Sequence, residues 1–366
     1  MSEIVLDKVT KRFGRVKAVD DVSFRAKSGK FVVLLGPSGC GKSTVLRLIA
    51  GLEDVTEGKV FIDGRDVTRL DPEKRRVSMV FQSYALFPHL TVAENIVFGL
   101  KVRGIDADQR NERLKKVAEL VGLTEQLERK PQQLSGGQRQ RVALARAIVA
   151  ENPICLMDEP LSNLDAQLRH GMRVEIRALQ QRLKMTVVYV THDQVEAMSM
   201  ADHIILIREG RIEQEGTPEE LYARPGPMFA AKFIGTPAMN LVALQDHAEG
   251  AAIRGSGVAV LPVRGNGLVL GVRPEHVNLL GDVVTGVPGT VTSAEYHGAD
   301  TIITARVGEE SLLVRAPGHL VLATGAQVHM GWDPENVHLF DSKTGVREAE
   351  ALQPAAAHFA GRAAGA

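Results

Sequence analysis

Short apolar runs alternate with helical periodicity from residue 4 to about residue 233. Four of these runs have the length and composition of buried strands: 31–35, 77–81, 154–157 and 186–190. Apolar residues recur at helical spacing elsewhere, most clearly over 109–120. This alternation predicts an α/β domain around a largely parallel sheet.

Two further patterns interrupt this alternation. The segment 59–65 is bounded by Gly58 and Gly64 and predicts one arm of a hairpin. From about residue 86 to 150 the pattern turns helical. We interpret this stretch as a helical subdomain inserted into the α/β domain.

The composition changes after residue 235, where helical periodicity fades. Six short β-like runs lie between glycines and prolines: 258–263, 267–272, 287–291, 301–307, 311–315 and 327–330. They predict an all-β region, a small barrel or a pair of barrels. We therefore expect an α/β domain at 4–235, an all-β domain at 236–348 and a disordered, alanine-rich tail at 349–366.

Charge and cysteine content narrow the class of protein. Lys+Arg and Asp+Glu balance at 44 each, so net charge does not suggest nucleic-acid binding. Cys40 and Cys155 lack metal-ligand or disulfide spacing, which fits a reducing compartment. We find no signal-peptide pattern and no apolar run near the roughly 18–20 residues that span a bilayer. A role at a membrane would therefore need membrane-spanning partner chains.

A phosphate-binding loop follows the strand predicted at 31–35 and opens a helix predicted over 44–50. Its residues are Gly36, Pro37, Ser38, Gly39, Cys40, Gly41, Lys42, Ser43 and Thr44. Glycines let backbone N–H groups approach phosphate oxygens, and a helix N-terminus favours negative charge. Lys42 is expected to reach the β- and γ-phosphates, and the Ser43 hydroxyl to bind Mg²⁺. A chance match is expected in roughly one chain in a hundred, and the strand–loop–helix context lowers that figure.

Two carboxylates, Asp158 and Glu159, follow the strand predicted at 154–157. Buried parallel strands place their C-terminal residues at the ligand crevice of the sheet. Asp158 would support Mg²⁺ and Glu159 would polarise the attacking water. An apolar run that ends in Asp-Glu is also a common strand exit, so the phosphate loop is what strengthens this interpretation.

A second helix start with open amides comprises Ser135, Gly136, Gly137 and Gln138, and a basic helical run over 139–146 follows. Ser135 suits an N-cap, and a cap without a ligand is the alternative. Together with the preceding motifs, this segment resembles the signature of ATP-binding-cassette (ABC) ATPases. The resemblance implies that each signature faces the phosphate loop of a second copy, so that a head-to-tail dimer encloses two ATP molecules.

The other marks of this family follow in order. Phe13 stands where the family has an aromatic residue that stacks on adenine, without the hydroxyl of the common tyrosine. Gln82 matches the glutamine that couples the nucleotide to the membrane subunits. The loop 162–165 matches the dimer-contact loop, and His192 matches the histidine at the γ-phosphate.

No catalytic position of the family pattern is missing, so we expect an active ATPase with a P-loop NTPase cassette. The resemblance assigns catalysis to Glu159, His192, Gln82 and Lys42. It assigns the Mg²⁺ ligands to Ser43, Gln82 and Asp158.

Several segments indicate a branch of the family. Segment 81–96 is similar to the surface that importer ATPases present to membrane subunits; its Tyr84 and Phe87 are either exposed there or part of the core. Segments 158–165 and 189–198 resemble the carbohydrate-importer branch, whose members take up maltose and sn-glycerol 3-phosphate. Segments 233–240 and 271–276 look like its C-terminal regulatory domain of OB-fold type. The chain from 298 to 341 is nearest to the glycerol-3-phosphate member.

The resemblance implies import of sn-glycerol 3-phosphate or a related sugar, powered from the cytoplasmic face of the cell membrane. Its partners would be a second copy, transmembrane permease subunits, indirectly an extracytoplasmic solute-binding protein, and a regulatory protein at the C-terminal domain. We see no basic, aromatic-interleaved groove for nucleic acid. Three alternatives stay open: another solute class, a soluble cassette protein of translation or repair, and a non-enzymatic regulatory role.

Overall fold

The computed structural model describes residues 2–280 and 286–348. The chain divides into two compact units, one up to Pro218 and one from Glu219. The boundary expected at residue 235 lies within the second unit, because Ala231 before it packs with Val269 and Phe340 of the all-β part. That boundary stays a prediction, and the tail expected at 349–366 lies outside the described residues.

The first unit contains ten strands and six α-helices among its described residues. The strands are β1 (Ile4–Phe13), β2 (Val16–Ala26), β3 (Phe31–Leu35), β4 (Glu57–Ile62), β5 (Arg65–Asp66), β6 (Val77–Val80), β7 (Ile154–Asp158), β8 (Thr186–Thr191), β9 (His203–Arg208) and β10 (Arg211–Gly216). The helices are α1 (Lys42–Ala50), α2 (Val92–Val102), α3 (Ala107–Leu120), α4 (Gly136–Ile148), α5 (Ala166–Leu183) and α6 (Gln194–Met200).

A six-stranded sheet forms the centre of this unit, in the order β10-β9-β3-β8-β7-β6. Neighbouring strands run parallel except β10, which pairs antiparallel with β9 at one edge. Every residue of β3, β7 and β8 is buried, as expected for parallel strands covered on both faces. The α/β prediction is confirmed, and all four predicted strands lie in this sheet.

A second, antiparallel sheet has the order β2-β1-β4-β5. The predicted hairpin arm is observed, since β4 and β5 pair Phe61 with Asp66 and Ile62 with Arg65. Helix α1 contributes Val45, Leu46 and Ile49, among others, to a core shared with strands of both sheets. This packing holds the start of α1, and therefore the loop before it, in a fixed place.

Helices α2, α3 and α4 lie between β6 and β7 in the chain, as the predicted helical insertion requires. Thr91 caps α2 with a capping box, since its hydroxyl accepts from the Glu94 amide and the Glu94 carboxylate accepts from the Thr91 amide. Tyr84, before these helices, is 6% exposed. Its assignment as an exposed aromatic is therefore wrong, and the alternative of a core residue holds for it.

The second unit begins within α7 (Pro218–Ala223), continues through α8 (Met228–Phe233), and is otherwise all-β. Its strands are β11 (Asn240–His247), β12 (Gly250–Ile253), β13 (Ala259–Leu261), β14 (Leu268–Val272), β15 (Asn278–Leu280), β16 (Val287–Tyr296), β17 (Asp300–Val307), β18 (Glu310–Pro317), β19 (Gln327–Gly331) and β20 (Val337–Asp341). They form two five-stranded sheets, β13-β12-β11-β14-β20 and β15-β19-β16-β17-β18.

Both of these sheets contribute to one hydrophobic cluster, which includes Val242, Leu270, Val291, Ile303 and Leu339. The all-β prediction is confirmed, and each of the six predicted runs falls on a strand. Within the described ranges of the whole chain, none of the helices is both long and apolar enough to cross a bilayer.

Candidate active site

The carboxyl ends of three neighbouring strands meet at one edge of the parallel sheet. Leu35 of β3 is opposite Thr191 of β8, and Asp158 of β7 is opposite Val190 of β8. The phosphate loop, Glu159 and His192 directly follow these strand ends. The sheet thus brings together three segments that are far apart in the chain, at the edge where α/β proteins bind ligands.

The phosphate loop needs glycine at two positions where its backbone touches another backbone. Gly36 has φ +155°, and a Cβ there would lie 2.1 Å from the Ile207 carbonyl oxygen. Gly41 has φ +103°, and its Cβ would lie 2.3 Å from the Ala18 carbonyl oxygen. These two close contacts therefore fix the backbone conformation of the loop. Helix α1 begins at its end, at Lys42.

Lys42 is held within its own loop and is only 4% exposed. Its ammonium group donates to the carbonyl oxygens of Gly36 at 2.9 Å and Pro37 at 2.7 Å. Cys40 Sγ lies 3.7 Å from the same nitrogen, and burial raises the pKa of this thiol. The positive charge of Lys42 is thus held where the loop would receive a phosphate group.

Ser43 and Asp158 form a close oxygen pair. The Ser43 hydroxyl donates to Asp158 Oδ1 at 2.6 Å. Hydroxyl and carboxylate oxygens suit Mg²⁺, so these residues fit the predicted ion. No cluster of three or more His, Cys, Asp or Glu ligands occurs among the described residues.

Glu159 and His192 form a second pair beside this one. Glu159 Oε2 lies 3.1 Å from His192 Nδ1. Glu159 has φ +43°, an uncommon conformation for a residue with a side chain, and its amide donates to the Val190 carbonyl oxygen at 3.1 Å. Such backbone strain is typical of functional positions. The half-exposed His192 and the more buried Glu159 can together hold a water molecule or a substrate oxygen.

Gln82 is exposed and contacts the loop that follows Glu159. The side-chain Nε2 of Gln82 lies 3.4 Å from Ser162 Oγ, and the backbone carbonyl oxygen of Gln82 accepts from Asn163 Nδ2 at 2.8 Å. Ser162 in turn donates to the Glu159 carbonyl oxygen at 2.9 Å. The sequence indicated only a dimer-contact role for this loop. No sequence signal indicated that it also holds Gln82.

The predicted signature residues start α4 as expected. The Ser135 hydroxyl accepts from the Gln138 amide at 3.3 Å, and Gln138 Oε1 accepts from the Ser135 amide at 3.0 Å. A side chain at position 137 would press on Leu168, because a Cβ at Gly137 would lie 3.0 Å from the Leu168 side chain. These two hydrogen bonds preorganise the start of α4. Both lie within that first turn, and neither reaches the phosphate loop.

Phe13 lies at the end of β1 with 49% of its surface exposed. Lys11 Nζ is 4.9 Å from the centre of its ring. An exposed aromatic face next to a cation suits stacking on a flat, electron-rich ring such as a nucleobase. The predicted adenine contact therefore has an available surface.

A glycine-rich loop between a parallel strand and a helix, with a carboxylate at the end of another strand of the same sheet, defines a P-loop NTPase. Comparisons with known proteins narrow this class. The model of the ABC transporter family matches residues 19–162, and the model of the TOBE domain matches residues 270–340.

Three curated relatives match almost the whole chain. An sn-glycerol-3-phosphate import ATP-binding protein of Agrobacterium fabrum is 46% identical over 354 residues, 95% of each chain. Another with that description, from Escherichia coli K12, is 44% identical over 355 residues, covering 95% of this chain and 100% of its own. A sulfoquinovosyl glycerol transport ATP-binding protein of Agrobacterium fabrum is 44% identical over 353 residues, covering 94% of this chain and 99% of its own.

A solved dimeric ATP-binding cassette in a post-hydrolysis state, bound to ADP and Pi, is also similar. It is 35% identical with a TM-score of 0.53, over 59% of this chain and 98% of its own. The chain belongs to the ABC transporter family, as an ATP-binding subunit with a C-terminal TOBE domain. The predicted family, cassette fold, OB-type domain and ATPase class are confirmed.

Proposed function

We propose that this chain hydrolyses ATP to power the import of sn-glycerol 3-phosphate through an ABC transporter. The arrangement of Ser43, Asp158, Glu159 and His192 at one sheet edge carries the ATPase part of this proposal. The import part is supported by the relatives named for sn-glycerol-3-phosphate import, at 44–46% identity over 95% of the chain. Sulfoquinovosyl glycerol, another glycerol derivative, is the second candidate because one relative is named for its transport.

The chain's own residues suit each step of hydrolysis. The loop amides and Lys42 bind the phosphates, and Phe13 stacks on the adenine. Glu159 accepts a hydrogen bond from the attacking water, and His192 contacts the γ-phosphate next to that water. Mg²⁺, held by Ser43, Asp158 and Gln82, would neutralise charge on the phosphates.

A second copy of the chain completes the site. The preorganised start of α4, with residues 135–138, supplies amides and a helix N-terminus for the γ-phosphate of the partner's ATP. Closing and reopening of this dimer would move permease subunits docked near Gln82 and Phe87. An extracytoplasmic solute-binding protein would deliver the solute, so the chain would act on the cytoplasmic face. A regulatory protein would bind the C-terminal unit.

Glu159→Gln tests the assignment of the catalytic carboxylate. The amide keeps the size of the side chain but cannot accept a proton, so we expect ATP binding to persist while turnover falls by roughly 100-fold or more. The trapped ATP should make the variant accumulate as a dimer in size-exclusion chromatography with ATP and Mg²⁺. The exposed Arg182→Ala should behave as the unmodified protein. Normal turnover by Glu159→Gln would contradict the assignment.

A further inference from the structure

A buried carboxyl group fixes the turn that carries His192. Glu196 is 3% exposed, and its Oε2 accepts from Tyr189 Oη at 2.8 Å and from Thr191 Oγ1 at 2.7 Å. Burial raises the pKa of Glu196, while the hydroxyl groups of Thr191 and Tyr189 act in the opposite direction. Two polar groups from the end of β8 thus converge on one side chain of α6.

Asp193 fixes the other side of the same turn. Its amide donates to Thr191 Oγ1 at 3.0 Å. Its Oδ1 accepts from the amides of Val195 at 2.7 Å and Glu196 at 3.2 Å. The residues before and after His192 are therefore both bonded into one network, while the His192 side chain is 52% exposed. The network sets where that imidazole stands relative to Glu159.

Arg169 of α5 connects this network to the loop after Glu159. Its Nη2 donates to the Leu164 carbonyl oxygen at 2.9 Å, and its Nη1 lies 3.6 Å from Asp193 Oδ2. Its Nε is buried without a hydrogen-bond partner among the described residues. A cavity of about 50 Å³ is lined by Arg169, Glu196, Glu159 and His192, so the network and the catalytic pair share one space.

We propose that Arg169 and Glu196 are positioning residues for the Glu159–His192 pair. Glu196 holds the turn that carries His192, and Arg169 ties this turn to the loop 162–165. A movement of that loop when a second copy binds would then reach His192 through Arg169 and Asp193. This inference rests on the roles proposed above for Glu159 and His192.

A double-mutant cycle of Arg169→Ala and His192→Ala tests the link to His192. Alone, Arg169→Ala should lower kcat for ATP by about 10- to 100-fold, because small misplacements of catalytic groups have effects of that size. The KM for ATP and the binding of a non-hydrolysable ATP analogue should stay within about twofold, because phosphate and base contacts are untouched. In single turnovers of His192→Ala, adding Arg169→Ala should change the rate by less than about twofold, since the residue it positions is gone.

Arg182→Ala, an exposed arginine on the same helix, is the matched control. Full activity of Arg169→Ala, or the same fold loss in both backgrounds, would overturn the link to His192. Normal rates for both His192→Ala and Glu159→Gln would instead show that the proposed catalytic roles are wrong.

Conservative variants test Glu196 without relying on a variant that fails to fold. Glu196→Gln keeps an oxygen that accepts from both hydroxyl groups, so kcat should fall by no more than about threefold. Thr191→Val removes one of these bonds and the acceptor for the Asp193 amide, so kcat should fall by about tenfold with the KM for ATP unchanged. Equal kcat for Thr191→Val and the unmodified chain, or a loss in Glu196→Gln as large as in Thr191→Val, would overturn the role of this network.

Discussion

Replacing Gly41 by alanine would press a side chain against the backbone of the neighbouring sheet. The new Cβ would lie 2.3 Å from the Ala18 carbonyl oxygen, about 1 Å inside the 3.4 Å at which ordinary contact begins. A carbonyl oxygen of β2 cannot rotate away as a side-chain end can. Either the loop or the strand must therefore shift.

Gly39 provides the matched control for this change. It lies in the same loop with φ +78°, and a Cβ there would meet no atom within 4 Å. Gly39→Ala therefore carries only the cost of a left-handed alanine, about 1–2 kcal/mol. Gly41→Ala carries that cost and an overpacking cost, which is typically about 1–3 kcal/mol. We expect Gly41→Ala to be the less stable variant by about 2 kcal/mol, or about 4–8 °C in Tm for a unit of this size.

Thermal unfolding without nucleotide is the suitable assay, because it separates loop fit from ATP contacts. Circular dichroism or calorimetry on the full chain should give the highest Tm for the unmodified protein, a lower Tm for Gly39→Ala and the lowest Tm for Gly41→Ala. Equal Tm values for the two variants would refute the argument that close backbone approach, rather than backbone conformation alone, requires glycine at position 41.

Two further predictions concern buried polar groups. Burial, followed by the nearby charges of Arg347 and Arg273, lowers the pKa of His338 to about 4. In the unfolded chain, His338 would bind a proton near pH 6.5, so the free energy of unfolding of the second unit should fall by about 3 kcal/mol between pH 6.5 and pH 4. Urea unfolding followed by Trp332 fluorescence measures this change. A His338→Gln variant with the same pH dependence would contradict the prediction. Tyr84 Oη is buried without a hydrogen-bond partner among the described residues, so Tyr84→Phe should leave Tm unchanged or raise it, and a clear drop in Tm would show that the hydroxyl is bonded.

Local patterns were sufficient to predict the parts of the site that lie in single segments. The phosphate loop follows a buried strand and Asp158 ends one, so strand recognition placed both at the ligand edge of the sheet, whereas His192 was assigned from the family resemblance. The contacts of Gln82 with Ser162 and Asn163 could not be predicted, because they join segments about 80 positions apart in the chain.

Four strands of the second unit, β11, β12, β15 and β20, were not predicted. β12 is the short run Gly-Ala-Ala-Ile, and β11 contains Leu, Ala and Gln, which are compatible with helices. β11 and β12 form through pairing with neighbouring strands rather than through their own propensity. Glu196 was missed for a related reason: a carboxylate in the first turn of a helix is typical of an exposed surface, and only the tertiary structure buries it.

ATP-driven uptake tests the central claim most directly. The chain, purified from its native membranes with its permease subunits, would be reconstituted with the solute-binding protein into vesicles containing ATP. We predict uptake of labelled sn-glycerol 3-phosphate, absent when the chain carries Glu159→Gln. If no membrane-spanning chain co-purifies, or if uptake proceeds equally with Glu159→Gln, the proposal that this chain powers import is contradicted.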